Sequence, residues 1–385
     1  MEFFVENINL ILFLPVIMCF IIGFNGLISN KIDKITLFAV SISFSFISLL
    51  FCAAAFDYSV VQNLSVSTNF RWLSFDSINF YLGTFLDKTS VSFLLGSGIL
   101  CFLIQNIAFF KFRDDINFPR LLFYLNLFAL GLNGIFISSN IFQAYLFCEV
   151  AGAASYLLID FDFSNRAQSR AGIKSFIFNR TGDLTLLFCV LTIMYYAVVY
   201  NQLSDVNALA FSNMANVAAS INSLMSEPVY IFFCSVLIFV TVMKFMQAFI
   251  YITFESKPKG GLAEVVLYQN SLLALAGVYL FLRFNPFFYA LGSQWIWTVL
   301  VLALIFLVIG VINRIFIPVC KIFGWIEKYI VETFISFVEL VIRALSYLSG
   351  RLQGGNFQSY LIYSVTGLVL ILAFVLIFYE MLIKV

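Results

Sequence analysis

Apolar residues in this chain come in runs of about twenty, the length that crosses a bilayer as a helix, separated by shorter polar segments. The runs predict spans over residues 8–29, 35–56, 89–110, 121–138, 141–159, 174–200, 229–252, 262–284, 296–316 and 359–383. The joining segments alternate in charge. Lys31 and Lys34, then Lys111, Arg113 and Arg120, then Arg166, Arg170 and Lys174, then Lys257 and Lys259 fall on one side. The opposite segments are poor in Lys and Arg, and residues 201–228 hold none. Positive segments stay on the cytoplasmic or matrix side, so both termini are expected on the outer side.

Residues 317–350 follow a different pattern. Lys321, Lys328, Glu332, Glu339 and Arg343 stand 7, 4, 7 and 4 residues apart. At about 100° per residue those offsets share a narrow wedge of one helical face, and the rest of the surface is apolar. A thin polar line on a greasy helix suits an element lying along the membrane boundary against other protein. A tilted span whose charges line a bundle is the alternative.

Composition agrees with the runs: 62% of the 385 residues are hydrophobic, 11% are charged, and mean hydropathy is +1.02. The expectation is an all-α integral membrane protein surrounded by lipid. Its net charge of +1 gives no reason to expect nucleic acid as a partner. The seven cysteines lie mostly within apolar runs with no paired metal spacing, and read as small core residues. Histidine is absent, which argues against a transition-metal site built on imidazole. The opening "MEFFVENINLILFLPVIMCF" carries acid where a mitochondrial presequence is Arg-rich, so it reads as the first span. No Gly-rich phosphate loop or nucleophilic triad is present.

A few charges sit too deep for loops. Glu149 interrupts "AYLFCEVAGAASYLLIDF", and Lys244 interrupts "VLIFVTVMKFMQAFIYITF". A charge at the bilayer centre costs at least about 2.5–3.5 kcal/mol, so such residues normally pair, face water and mark ion paths. Arg180 and Asp183 belong to "FNRTGDLTLLF", and Lys174 opens that span. Carboxylates and lysines whose protonation depends on burial and on one another are the parts of a proton relay. Arg180 and Asp183, three apart on one helix, could also simply neutralise each other.

These stretches carry a resemblance. "CEVAGAASYLLIDF" followed by "RAGIKSFIFNRTGD" resembles the signature of NADH dehydrogenase subunit 5, the distal antiporter-like subunit of respiratory complex I. "FLDKTSVSFLL" at 85–95, "FYLNLF" at 123–128, Lys244 with Gln247, "AGVYLFLR" at 276–283 and "RLQGGNFQSY" at 351–360 are similar to further motifs of that family, in the same order. The resemblance implies the complex I antiporter-like fold with about ten transmembrane helices. It divides the chain into N-terminal spans (1–110), a five-helix repeat with buried charges (111–285), a connecting span (286–316), a shortened lateral helix (317–350) and a C-terminal span (351–385).

It also implies a function: moving protons across the inner mitochondrial membrane as part of NADH:ubiquinone oxidoreductase. NADH, FMN, iron–sulfur clusters and ubiquinone would belong to other subunits, leaving no cofactor in this chain. By position Glu149 would face the adjacent antiporter-like subunit 4, and Lys244, on a broken helix in the family, would exchange protons with it. Lys174, Arg180 and Asp183 would be nearby charges, with Gln269 a polar bridge where the family has histidine. The chain also departs from the family. Prolines that break the helix of Lys244 in the family fall on Phe249 and Glu255 here, and the space for a second five-helix repeat holds one span. A 34-residue lateral helix reaches about 50 Å, enough to brace one neighbour. Three readings follow: a reduced subunit retaining one half-channel, a structural distal subunit that no longer pumps, or a free-standing cation/proton antiporter subunit. A separate chain supplying the missing repeat would favour the first.

Overall fold

The computed structural model describes residues 7–27, 32–75, 78–162, 166–199, 209–253 and 261–292. The spans expected at 296–316 and 359–383 and the lateral helix expected at 317–350 lie outside the described residues.

Within them the predicted spans become helices. They are α1 (Leu10–Leu27), α2 (Lys34–Phe56), α3 (Lys88–Phe112), α4 (Phe118–Ile137), α5 (Ile141–Ile159), α6 (Arg166–Val199), α8 (Glu227–Thr253) and α9 (Gly261–Tyr289), with a short α7 (Met214–Leu224) before α8. Seven of them are long and apolar enough to cross a membrane, and α1 is a shorter apolar helix. The chain is a multi-pass membrane protein. Between α2 and α3 it adds a feature the hydropathy reading passed over, an antiparallel hairpin of β1 (Val66–Phe75) and β2 (Ile78–Leu86).

The helices start where polar side chains can satisfy their free N–H groups. Asn140 accepts a hydrogen bond from Gln143 N at 2.8 Å to open α5, and Asp87 accepts one from Ser90 N at 2.9 Å to open α3. α4 lies at the centre of the core, enclosed from several sides, and Leu121, Leu125, Phe128, Ile135 and Phe136 on it are all buried. It packs against α1, α3 and α5, while α9 packs against α8, α3 and α5.

Loop contacts sort the two ends of the bundle. At one end Lys34 Nζ donates to Asp115 O at 2.8 Å, and Arg120 donates to Phe161 O at 2.7 Å, tying the basic loops together. At the other end the Lys- and Arg-poor segments are knitted. Asn140 donates to Tyr81 O at 2.7 Å, Ile141 N to Leu209 O at 3.0 Å, and Asn222 to Ala290 O at 3.2 Å. The hairpin docks at this end too, through Gly83 N donating to Gln143 Oε1 at 2.9 Å. A Cβ on Gly83 would stand 1.8 Å from Thr68 O, so the cross-strand approach there admits only glycine.

Candidate proton-relay site

Four of the singled-out charges come together across α5, α6 and α8. Glu149 on α5 pairs with Arg180 on α6, and Asp183, one turn further along α6, pairs with Lys244 on α8. The result is a row of alternating sign, Glu149–Arg180–Asp183–Lys244, in which α6 supplies both middle members. Arg180 and Asp183 therefore each engage a different helix, rather than closing on each other alone.

The two pairs differ in depth. The side chains of Asp183 and Lys244 are 1% and 2% exposed, whereas those of Glu149 and Arg180 are 18% and 36% exposed. The first pair is sealed inside protein and the second stands at the rim. Arg180 also lies 4.9 Å over the Phe176 ring, a favourable seat for a cation. Next to it on α6, Leu184, Phe188 and Leu191 are exposed, giving the rim pair an apolar outward surround.

Small residues bring the helices close enough for these contacts. On α9, a Cβ at Gly277 would come within 2.7 Å of Phe245 N and 2.8 Å of Thr241 O, so glycine lets α9 press on the turn of α8 that carries Lys244. That turn is regular helix. α8 runs unbroken from Glu227 through Lys244 to Thr253, so the break implied by the family likeness does not occur at Phe249, where no proline interrupts the ladder; Glu255 and the nearby Pro258 lie outside the described residues.

The remaining candidates lie further off. Lys174 is half-buried, six residues or about 9 Å along α6 from Arg180 towards the basic loops. Gln269 is buried, and its Oε1 has no hydrogen-bond partner among the described residues. Because Gly277 is level with Thr241 and Phe245, Gln269 stands eight residues, about 12 Å, along α9 from the level of Lys244. The positions between Glu149 and Lys244, where Gln269 was expected as a bridge, are taken by Arg180 and Asp183.

Several site residues carry no charge and escaped a search for charges. Asn179 is buried beside Asp183, facing Gly152 of α5. Tyr145, one turn before Glu149, lies within electrostatic range of Asp183, Arg180 and Lys244. A third ion pair stands apart at the hairpin end. Arg283, near the end of α9, donates to both carboxylate oxygens of Asp87 at 2.8 and 2.7 Å and sits about 5 Å from the rings of Phe85, Phe211 and Tyr279. Burial alone would raise the Asp87 pKa, but hydrogen bonding and charge from Arg283, with hydrogen bonds from Ser90, outweigh it and hold the carboxyl below its usual range. Both partners sit in motifs singled out in the sequence, "FLDKTSVSFLL" and "AGVYLFLR".

Comparison with known proteins fits this geometry. Residues 138–315, which hold all four members of the charge row, match the family described as NADH:quinone oxidoreductase/Mrp antiporter, transmembrane. That match covers 178 of the 385 residues, a little under half of the chain. The chain is 28% identical over 283 residues to the chloroplastic NAD(P)H-quinone oxidoreductase subunit 5 of Chara vulgaris, covering 72% of this chain and 41% of that one. It is 27% identical over 347 residues to NADH-ubiquinone oxidoreductase chain 5 of Trichophyton rubrum, covering 89% of this chain and 49% of that one. The chain thus spans less than half the length of these relatives. Among solved structures, a chain of the archaeal membrane-bound sulfane sulfur reductase superposes with a TM-score of 0.55 at 15% identity, over 75% of this chain and 55% of that one. That likeness speaks for the fold.

Proposed function

We propose that this chain is a membrane-arm subunit of a proton-translocating NADH:quinone oxidoreductase, akin to subunit 5 of complex I, and that it provides one half-channel for protons. The observation that carries the reading is the row Glu149–Arg180–Asp183–Lys244, two ion pairs whose inner members stand three residues apart on α6, running from the rim of the bundle to its sealed interior. Isolated structural charges in a membrane need one partner each. Here the two pairs share a helix, and their four charges are ordered so that a change at one end is felt at the other.

The row works by competition. While Glu149 is ionised it holds Arg180, and Asp183 is left to Lys244. Neutralising Glu149 frees Arg180 to compete for Asp183 three residues away on the same helix, loosening the hold on Lys244 and easing the release of its proton. Coupling between the ends on the order of 1–3 kcal/mol shifts that protonation equilibrium roughly 5- to 150-fold. Redox chemistry stays elsewhere: NADH, FMN, iron–sulfur clusters and ubiquinone are held by other subunits. The rim position of Glu149 suits an adjacent antiporter-like subunit as neighbour, subunit 4 in complex I terms, and an organellar inner membrane such as that of the mitochondrion suits the assembly.

A second reading, a distal subunit that braces the membrane arm without pumping, is supported by the pairing itself, since each of the four charges already has a partner that neutralises it. Glu149→Gln in the assembled complex separates the two. The half-channel reading predicts fewer protons moved per NADH at unchanged assembly, and the bracing reading predicts no change.

A further inference from the structure

Asp183 divides its two oxygens. Oδ1 takes Lys244, while Oδ2 faces α5 at Gly152. Beside it Asn179 is 4% exposed, and neither end of its amide has a hydrogen-bond partner among the described residues. A buried amide left without partners costs about 1–3 kcal/mol per unmade bond, and folded proteins seldom keep one so. Gly152 leaves room at this spot. A Cβ placed there would be 3.6 Å from Asp183 Oδ2 and 3.7 Å from Asn179 Nδ2, ordinary contact distances that leave a recess about one methyl group deep.

The recess ends a polar seam. Along α6 the buried polar residues Gln168, Ser175, Asn179 and Asp183 stand 7, 4 and 4 apart, within one narrow wedge of the helix. That wedge packs on α5: Gly172 abuts Tyr156 and Asp160, Phe176 lies 5.4 Å from Tyr156, and Asn179 and Asp183 meet Gly152. Gln168, at the basic-loop end, donates to Ile159 O at 3.0 Å. The seam therefore runs from the basic-loop end of the bundle to the sealed ion pair.

We propose that Asn179, Asp183 Oδ2 and the recess at Gly152 hold one internal water molecule, and that this water is the last hydrogen-bonded link by which protons from the basic-loop side reach Asp183 and Lys244. The inference rests on the half-channel reading and adds the entry route. A buried water needs two to four polar partners, and the carboxylate oxygen and both ends of the amide supply them. Water fits better than a metal cation, because Lys244 already balances the charge on Asp183.

The test replaces the water in two ways and measures protons pumped per electron pair by the assembled complex in proteoliposomes, with assembly checked by its quinone-reductase rate under uncoupling. Gly152→Ala fills the recess with a methyl group at contact distance, and is expected to lower pumping roughly fivefold or more. Gly152→Ser puts a hydroxyl where the water sits, and is expected to stay within about twofold of the natural chain. Size alone predicts the opposite order, since serine is the larger. Asn179→Leu should lose pumping and Asn179→Ser should retain part of it, which keeps the test open if the Gly152 variants fail to assemble. Normal pumping by Gly152→Ala or Asn179→Leu, or a worse result for Gly152→Ser than for Gly152→Ala, overturns the proposal. Asp183→Asn and Lys244→Met run alongside. If they abolish pumping while Gly152→Ala does not, the water falls alone. If they too pump normally, the half-channel falls with it.

Discussion

Lys244 and Asp183 each occupy a place that would be prohibitive without the other. Removing one partner of a buried pair strands the second charge, at a cost of about 3–5 kcal/mol, whereas replacing both with apolar residues of similar size is often neutral. Asp183→Ala should therefore lower the thermal stability of the assembled complex markedly. Lys244→Met combined with Asp183→Leu should restore most of it without restoring pumping. Equal destabilisation by the single and double variants, read from thermal aggregation of the solubilised complex, would show that the pair is not sealed from solvent as described. The charges themselves were legible in the sequence, because a charge among apolar residues is conspicuous. Their pairing was not. Arg180 and Asp183 sit three apart and look self-sufficient, and only the packing of both α5 and α8 against α6 gives each a partner on a different helix. Asn179 and Gly152 went unread for the opposite reason: neither carries charge, and their importance comes from what they leave unfilled.

Among the elements, the apolar spans were the easiest to read. Residues 141–159 were predicted with the bounds that α5 has, since Asn140 caps its start and Asp160 follows its end. The helix predicted from 174 begins instead at Arg166, because Arg166, Gln168 and Arg170 read as loop by hydropathy. At 34 residues α6 is about 51 Å long, more than the ~30 Å hydrocarbon core requires, so its polar first turns continue beyond the membrane. The hairpin was missed because its strands alternate only loosely and are set by docking partners distant in sequence, Asn140, Gln143 and Arg283. The Asp87–Arg283 pair locks that hairpin to the end of α9, and a bidentate charged hydrogen bond of this kind contributes about 1.5–3 kcal/mol. The folded carboxyl has the lower pKa, so its contribution is fully present above the ordinary aspartate value near ~3.9 and is lost as pH falls through the folded value. Asp87→Asn should thus lower stability near neutrality, and the difference from the natural chain should vanish at acid pH. Loss of stability that persists unchanged through acid pH, followed by limited proteolysis of the 62–87 segment, would contradict the lock.

For the whole molecule, the features that could be read at a distance were its membrane nature and its likeness to antiporter-like subunits, since both rest on patterns repeated along the chain. A relay open on the basic-loop side through the α5–α6 seam needs an exit, and the exposed rim of Glu149 and Arg180 is where a neighbour would continue it. Mild-detergent purification through a tag on this chain should therefore recover a second membrane polypeptide with a buried lysine of its own. Recovery of the chain with no other membrane protein would leave the path without an exit and favour the bracing reading.

The central claim is that Lys244 changes protonation during turnover. Its most direct test is the number of protons translocated per electron pair by the assembled complex in proteoliposomes, for the natural chain and for Lys244→Met, at matched quinone-reductase rates. A lower ratio is expected in the variant, because a methionine fills the site but carries no proton. An unchanged ratio would contradict it.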